Sequence, residues 1–339
     1  MVRLVSLLGA LCMGCAPAPQ NLPRVDPAPV EAVRPGGPFA IGLTAGPTLT
    51  NGVQTRLYYP ASAEGGPARA DPFSSEHLAG LGRRFGPGVA RALGSAVTAA
   101  SPDAPRADGR FPLVVFQPGA SMAASDYRLL IEGLASRGYV VLALNPDGSP
   151  GASGGRYAVA AREFVEAVAM ARSGDAAFAQ ADVSRVVLVG HSLGGAAGMM
   201  ALESVPGAAA VNLDGDFTGP VRIPADRPAL YLIGQTAGEG QRSRDRRANA
   251  WRNAAAGAGD AVVLQVVDLK HFDFTDAAML KQDVPENLRQ ARFGALSGQG
   301  VHELTLGLVA AFLDSRLKGQ AVWQTALAAY SDAAPPTSW

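Results

Sequence analysis

The stretch RVVLVGHSLGGAAGMMAL (185–202) combines an apolar run, a tight turn and a run of small residues. Its centre, GHSLG at 190–194, has the form G-x-S-x-G, which carries little weight alone in a chain with 40 glycines. The flanking sequence strengthens the assignment of this motif, because RVVLV is typical of a buried strand and GGAAGMMAL is typical of a close-packed helix. The stretch therefore predicts a strand, a turn and a helix, with Ser192 exposed on the turn.

The turn explains why small residues surround Ser192. A serine held there needs a strained backbone, and side chains two positions before and after it would collide with the adjoining strand and helix. Gly190, Gly194 and Gly195 meet this demand. A helix that begins near Leu193 would direct its free N–H groups at developing negative charge. Ser192 is thus the candidate nucleophile, and the alternative is a glycine-rich turn without catalytic function.

Apolar strand-like segments alternate with helical ones on both sides of this stretch, which is typical of a mainly parallel sheet covered by helices. The pattern predicts helices at 127–136, 158–172, 196–203, 242–256 and 301–317. Eight strands are predicted, at 39–43, 54–59, 113–117, 139–144, 185–189, 209–213, 229–233 and 262–267. The expected class is α/β, with an eight-stranded sheet and helices on both faces, as in the α/β-hydrolase fold.

A serine nucleophile needs a base, and histidine is suited to this near neutral pH. His77 lies in an irregular region, His191 is inside the turn, and His302 is interpreted as a solvated or capping residue of the last long helix. His271 follows the last predicted strand in DLKHFDF (268–274), at the edge where parallel sheets bind ligands. His271 is therefore the predicted base.

The acid that would orient this base has two candidates. Asp214 directly follows the strand at 209–213, and Asp216 lies two positions further, in the expected turn. The next strand is followed by Gln235 and Thr236, which carry no carboxylate. Asp214 is favoured over Asp216, and an Asp-Gly turn without catalytic function is the alternative.

Oxyanion stabilisation needs backbone donors that are set before the reaction. Leu193 N–H, just after the nucleophile, is one candidate. The other should come from the loop after the strand at 113–117, where Pro118 has no N–H and Gly119 permits a tight turn. Ala120 N–H is therefore the second candidate.

Charge excludes a general affinity for nucleic acid. Lys plus Arg and Asp plus Glu both number 29, so the formal net charge is +0. The arginine-rich run RSRDRR (242–247) is interpreted as a solvated helix face. Hydrophobic residues make up 48% of the chain, which allows a sizeable core.

The N-terminal MVRLVSLLGALCMGC predicts a signal peptide at 1–15, with an apolar segment too short to span a bilayer. Gly14-Cys15 resembles the end of a bacterial lipobox, although Cys12 replaces the usual aliphatic residue. Export is expected, either as a lipoprotein tethered to a membrane through lipidated Cys15 or as a periplasmic or secreted protein with a cleaved signal.

The rest of the chain divides into three parts. Residues 16–38 form a Pro-rich linker, residues 39–320 the α/β-hydrolase domain with an insertion at 61–110, and residues 321–339 a C-terminal tail. The insertion includes a predicted helical region at 77–97 and is expected to lie over the top of the sheet.

Seven segments together resemble the type II (plasma-like) platelet-activating-factor acetylhydrolase family and cover roughly residues 50–319. They are YYP (58–60), FPLVVFQPG (111–119), LASRGYVVLALN (134–145), VVLVGHSLGG (186–195), VNLDGDF (211–217), KHFDF (270–274) and VAAFLDSRLKG (309–319). The family takes its acid from the LDG position. It often has Ser-His-Gly where this chain has Gln117-Pro118-Gly119, so contacts in this loop are expected to differ.

The resemblance implies a triad of Ser192, Asp214 and His271, backbone donors at Ala120 and Leu193, and no metal or other cofactor. The expected function is hydrolysis of short-chain or modestly apolar carboxylic esters through an acyl-enzyme, with a small-molecule ester as the partner. Polyester or cutinase-like hydrolysis, acyl transfer by the same triad, and ligand binding without turnover remain alternatives.

Overall fold

The computed structural model describes residues 35–63, 68–69, 73–145, 156–234, 240–330 and 333–336. The predicted signal peptide at 1–15, with Cys12 and Cys15, and most of the linker at 16–38 lie outside the described residues. Gln235 and Thr236 do so as well. The first described strand starts at Ala40, close to the predicted start of the domain at residue 39.

A twisted, mainly parallel sheet forms the centre of the described structure. Its strands are β1 (Ala40–Ala45), β2 (Thr55–Ala61), β5 (Ala100–Pro102), β6 (Phe111–Gln117), β7 (Val140–Leu144), β8 (Ala181–His191), β9 (Ala209–Leu213), β10 (Ala229–Gly234), β11 (Ala261–Val266) and β12 (Ala333–Ala334). A separate two-stranded sheet pairs β3 (Ala68–Arg69) with β4 (Val97–Thr98).

The strand order is β12-β11-β10-β9-β8-β6-β7-β2-β1-β5. Strands β7, β6, β8, β9, β10 and β11 are parallel to their neighbours within this series, and β2 and β12 join it antiparallel. All eight predicted strands are present, but the described residues form a ten-stranded sheet. The prediction missed β5 and β12 because edge strands of two or three residues have no hydrophobic periodicity to detect.

Nine α-helices occur in the described residues. They are α1 (Ser75–Phe85), α2 (Pro87–Gly94), α3 (Arg128–Ser136), α4 (Arg156–Arg172), α5 (Leu193–Ala201), α6 (Gln241–Ala254), α7 (Glu286–Arg292), α8 (Gly298–Leu317) and α9 (Trp323–Ala329). Short 3-10 helices include Ala124–Tyr127, His271–Phe274 and Asp276–Asp283.

Helices cover both faces of the sheet, as expected, because alternate residues of each central strand point to opposite sides. In β6, Val114 and Phe116 join the apolar cluster that contains α3 and α8, whereas Leu113 and Val115 join the one that contains α4, α5 and α6. All four side chains are completely buried. The sheet is therefore rigidly held between two cores, which fixes the positions of its strand ends.

The insertion at 61–110 contains two helices where the sequence suggested one helical region. Gly86 separates α1 from α2 with φ +97°, a conformation that favours glycine, and Pro87 then begins α2. Phe85 at the end of α1 is buried and packs edge-on against Phe272, with ring centroids 5.3 Å apart. The insertion thus reaches the loop that carries His271.

The segment at 321–339 is not a simple tail, which corrects the prediction. Helix α9 packs on α8, where the Trp323 ring lies 5.6 Å from that of Phe312, and β12 pairs with β11. The sequence signal was weak because α9 is only seven residues long. Within the part of the chain that the structure describes, no helix has the length and apolarity needed to cross a membrane.

Candidate active site

Ser192 lies on the sharp turn between β8 and α5. Its φ of 53° and ψ of −118° fall in a region that non-glycine residues rarely adopt. The Ser192 N–H donates to the Leu213 carbonyl at 2.8 Å, which ties the turn to the end of β9. This geometry matches the strained turn that the sequence predicts.

The glycines around Ser192 allow backbones to approach closely. A Cβ added at Gly190 would lie 2.3 Å from the backbone carbon of Gly194, and one at Gly194 would lie 2.2 Å from the Gln117 carbonyl oxygen. A Cβ at Gly195 would lie 2.2 Å from Asn212 Oδ1. The expectation that only the smallest residue fits at these positions is therefore confirmed.

A second tight turn, after β9, holds Asp214. Asp214 has φ 53°, and its N–H donates to the Leu232 carbonyl at 2.8 Å. The buried Asn212 side chain clamps this turn, since it accepts from the Gly215 N–H and donates to the Gly215 carbonyl, both at 2.8 Å. A Cβ at Gly215 would lie 2.2 Å from the Ser192 carbonyl oxygen, so the turns of acid and nucleophile are packed together.

Asp214 and His271 are joined by a hydrogen bond. His271 Nδ1 lies 2.7 Å from Asp214 Oδ2, and the other carboxylate oxygen, Oδ1, accepts from the Gly234 N–H at 3.1 Å. Because an ionised carboxylate only accepts, Nδ1 carries the proton, and Nε2 of a neutral ring keeps a lone pair. The Asp214 side chain is 7% exposed and that of His271 is 40% exposed, so the ring edge remains accessible to a substrate.

Ser192 lies at the same edge of the sheet as this pair. The ring of His191, its chain neighbour, is 4.5 Å from the His271 ring between centroids. Within the described residues, the Ser192 hydroxyl makes no hydrogen bond to the His271 ring. Catalytic hydrogen bonds are often long or poorly aligned without substrate, so this contact is expected to form on side-chain rotation or substrate binding.

Asp216, the alternative acid, points elsewhere. Its side chain is 48% exposed and lies 2.7 Å from Arg247 Nε. Arg247 Nη1 is also 3.8 Å from Asp214 Oδ1, and the Arg247 side chain is only 14% exposed. The interpretation of 242–247 as a solvated helix face is therefore wrong for Arg247, which packs beside the site because α6 follows β10 at this edge.

Ala120 and Leu193 lie on the same cavity. Leu193 is the first residue of α5, where a helix leaves its N–H groups without intrahelical acceptors. Ala120 is exposed in the loop after β6. Both line a cleft of about 460 Å³, together with His77, Gly80 and Arg83 of α1. The cleft therefore adjoins the predicted oxyanion donors and helix α1 of the insertion, whereas Ser192, Asp214 and His271 are not among its lining residues.

A buried acid organises the loop that carries His271. Asp273 Oδ2 accepts from the N–H groups of Lys270 (2.8 Å) and Gly294 (2.6 Å), and Oδ1 accepts from the Lys281 ammonium at 3.0 Å. Asp273 and Lys281 are both almost completely buried. Sequence analysis missed this ion pair because its partners are eight positions apart and lie outside any long periodic element.

The other histidines have structural contacts. His77 is buried in α1, with Nε2 2.9 Å from Asp126 Oδ2. His302 lies within α8, which begins at Gly298 and is capped by Ser297, and burial lowers the pKa of the His302 ring. His302 is therefore not the capping residue of this helix, and it is partly exposed rather than fully solvated. His191 is buried and contacts both Tyr127 and the His271 backbone.

Comparisons with known proteins agree with this architecture. A family model described as Chlorophyllase matches residues 102–214, about a third of the chain. A solved structure of a ferulic acid esterase from Streptomyces cinnamoneus is similar with a TM-score of 0.72 and 23% identity, covering 90% of this chain and 98% of that one. A comparison with curated proteins gives no match. The sheet, the turn at Ser192 and these similarities together show that the chain has the α/β-hydrolase fold.

Proposed function

We propose that this protein is a serine carboxylester hydrolase whose catalytic residues are Ser192, Asp214 and His271. The observation that carries the proposal is the 2.7 Å hydrogen bond from His271 to Asp214, at the edge of the sheet where Ser192 lies on a strained turn. The match to the model described as Chlorophyllase, the fold shared with an esterase, and the sequence resemblance to type II platelet-activating-factor acetylhydrolases support an ester substrate.

The first half of the reaction transfers the acyl group to the enzyme. His271 Nε2 accepts the Ser192 hydroxyl proton as Oγ bonds to the ester carbonyl carbon, and the carbonyl oxygen becomes an oxyanion. The N–H groups of Ala120 and Leu193 are the proposed donors to this oxygen. Collapse of the intermediate breaks the ester C–O bond, and the His271 proton passes to the leaving alcohol.

The second half regenerates Ser192. Water attacks the acyl-enzyme as His271 Nε2 takes its proton, and the same proton then returns to Oγ as the acid product leaves. Asp214 stays ionised throughout, fixes the Nδ1–H tautomer and stabilises the imidazolium that forms twice.

A small ester is the substrate size that the cleft supports. Its volume of about 460 Å³ lies at the lower end of the range for small-molecule sites. Charged side chains, among them Glu76, Arg83 and Glu163, are part of its lining, so the cleft supports a small substrate but not specifically an apolar one.

Hydrolysis of p-nitrophenyl acetate and butyrate by the purified protein tests the proposal. Wild type should release p-nitrophenol, and Ser192→Ala should lose the activity by several orders of magnitude because the nucleophile is gone. Ser204→Ala, at an exposed serine just beyond α5, is the matched control and should match wild type. Equal activity of Ser192→Ala and wild type would refute the proposal.

We also propose that the protein is exported and anchored through lipidated Cys15. The support is the apolar segment at 4–13 followed by Gly14-Cys15. Expression in a bacterial host with labelled fatty acid should label wild type but not Cys15→Ala. Release of both proteins as unlabelled, cleaved products would instead indicate an ordinary secretory signal.

A further inference from the structure

His191 is completely buried between the nucleophile turn and the base, and both of its ring nitrogens have polar partners. Nε2 lies 3.0 Å from the backbone carbonyl oxygen of His271, and Nδ1 lies 2.7 Å from the Tyr127 hydroxyl oxygen. The ring is 1% exposed. His191 occupies the first variable position of the G-x-S-x-G motif. It nevertheless contacts the backbone of His271, the proposed base.

The partners determine where the protons lie. A carbonyl oxygen can only accept, so His191 Nε2 carries a hydrogen, and Nδ1 of the neutral ring is then an acceptor. The Tyr127 hydroxyl must donate to Nδ1, which leaves its oxygen free to accept a further bond. The Gly119 N–H donates to that oxygen at 3.2 Å. Three hydrogen bonds thus follow one another in the same direction. The Gly119 N–H donates to Tyr127, Tyr127 donates to His191, and His191 donates to the His271 carbonyl. We call this series the hydrogen-bond chain.

The hydrogen-bond chain connects the loop of the proposed oxyanion donor to the loop of the proposed base. Gly119 immediately precedes Ala120, the proposed oxyanion donor, and His271 is the proposed base. The packing around Gly119 is tight, since a Cβ added there would lie 3.1 Å from His191 Nδ1 and 3.2 Å from Ser192 Cβ. Little space is left for the oxyanion loop to move relative to His191.

Burial keeps the His191 ring neutral, as this arrangement requires. Removal from water lowers the pKa of His191 well below its usual range, and the adjacent His271 lowers it further. A cationic ring would carry a second hydrogen on Nδ1 and would repel the imidazolium that forms on His271 4.5 Å away. Neutrality preserves both the hydrogen-bond direction and the basicity of the site.

We propose that His191 and Tyr127 are positioning residues that fix the proposed base and the oxyanion loop relative to each other, through a neutral Nε2–H tautomer of His191. The inference rests on the proposed function, because its consequence is a correctly placed His271 and Ala120. Neither side chain contacts the reacting atoms in this scheme.

The tautomer of His191 can be tested by NMR, independently of any measurement of enzymatic activity. The chain has four histidines, so long-range ¹H–¹⁵N spectra of histidine-labelled protein should resolve each ring. One ring, absent in His191→Gln, should remain a neutral Nε2–H tautomer from pH 5 to 9, and its Nδ1 signal should shift in Tyr127→Phe. A ring at position 191 that titrates in this range or carries its hydrogen on Nδ1 would overturn the inference.

Kinetics test the positioning role. The amide nitrogen of Gln can take the place of Nε2, whereas that of Asn reaches only the place of Nδ1. His191→Gln keeps the donor to the His271 carbonyl but offers no acceptor to Tyr127, so its kcat should fall about as far as that of Tyr127→Phe, ~10-fold. His191→Asn loses the donor to the His271 carbonyl and should lose kcat further, by up to ~100-fold, with KM changed less than ~3-fold. A general packing defect would not make the larger Gln side chain the better replacement in this way.

Tyr127→Phe has a matched control in Tyr139→Phe. Tyr139 is equally buried and donates to Asp314 Oδ1 at 2.7 Å. However, it lies at the amino end of β7, whereas the proposed catalytic residues follow the carboxyl ends of their strands. Tyr127→Phe should lower kcat by ~10-fold or more, whereas Tyr139→Phe should retain wild-type kcat. No hydrolysis by wild type would refute the proposed function. Hydrolysis by wild type with unchanged kcat in Tyr127→Phe and His191→Asn would overturn this inference alone.

Discussion

The carboxylate of Asp214 makes different use of its two oxygens. Oδ2 binds the His271 ring, and Oδ1 accepts from the Gly234 backbone, so the group is oriented before any substrate arrives. Asp216, two residues away, pairs instead with Arg247, and its side chain is 48% exposed. The two acids therefore have separable roles, although they share one turn.

We expect Asp214→Asn to lower kcat by about 10⁴-fold, because an amide no longer enforces the Nδ1–H tautomer or stabilises the imidazolium. Asp216→Asn should lower kcat by less than about 10-fold, since it removes only a partly exposed ion pair. Initial rates with p-nitrophenyl butyrate measure both effects. A larger loss in Asp216→Asn than in Asp214→Asn would reverse the assignment of the acid.

The sequence predicted the candidate residues at this scale from their places at strand ends. Ser192, Asp214 and His271 each follow an apolar strand, and parallel strands bring such positions to one edge. It could not predict that His191 contacts Tyr127 or that Arg247 approaches Asp214, because these contacts join residues from elements whose packing has no local signature. It also could not predict how far Ser192 lies from the base before substrate binds.

At the scale of elements, the long periodic segments were predicted well and the short ones poorly. The buried strands β6 to β11 and helices α3, α4, α6 and α8 lie within a few residues of their predicted positions. Edge strands β5 and β12 and helix α9 are stabilised by what they pack against, so their own sequences hardly indicate them. The helical region at 77–97 was predicted without its break, although the pair Gly86-Pro87 is a sequence signal for the end of one helix and the start of the next.

Helix α9 allows a direct test of whether the C-terminal segment belongs to the folded domain. Trp323 is 7% exposed and packs against Phe312, and the Arg316 guanidinium lies 5.4 Å from its ring centroid. Trp323→Ala should lower the free energy of unfolding by about 3 kcal/mol, the usual cost of removing a buried aromatic side chain.

Urea denaturation measures this change, and Gln324→Ala, an exposed position on the same helix, is the control. The control should unfold within about 0.5 kcal/mol of wild type, as is usual for surface substitutions. Equal stability of Trp323→Ala and wild type would show that this segment is not part of the cooperative fold.

At the scale of the whole molecule, a buried acid makes stability depend on pH. Asp276 is 5% exposed at the N-terminus of a 3-10 helix. Burial raises the pKa of its carboxyl to about 8, although the charge of Arg128 and the hydrogen bond from the Leu129 N–H act to lower it. The folded state therefore keeps a proton on Asp276 that the unfolded state releases near the ordinary pKa of an aspartate, about 4.

Because the folded state binds more protons between pH 4 and 8, Asp276 makes the free energy of unfolding fall as the pH rises through this window. The slope from this one group is at most about 1.4 kcal/mol per pH unit. Asp276→Asn keeps a neutral side chain at every pH, so its stability relative to wild type should increase from pH 4 to 8 and then level off. Chemical denaturation at several pH values checks this, and parallel curves for the two proteins would refute the buried, protonated state of Asp276.

The central claim is that Ser192 becomes covalently acylated during turnover, and a fluorophosphonate probe followed by intact-protein and peptide mass spectrometry tests it most directly. We expect one adduct per wild-type molecule, located on the peptide that contains Ser192, and no adduct on Ser192→Ala. An adduct on a different residue, or equal labelling of Ser192→Ala, would contradict it.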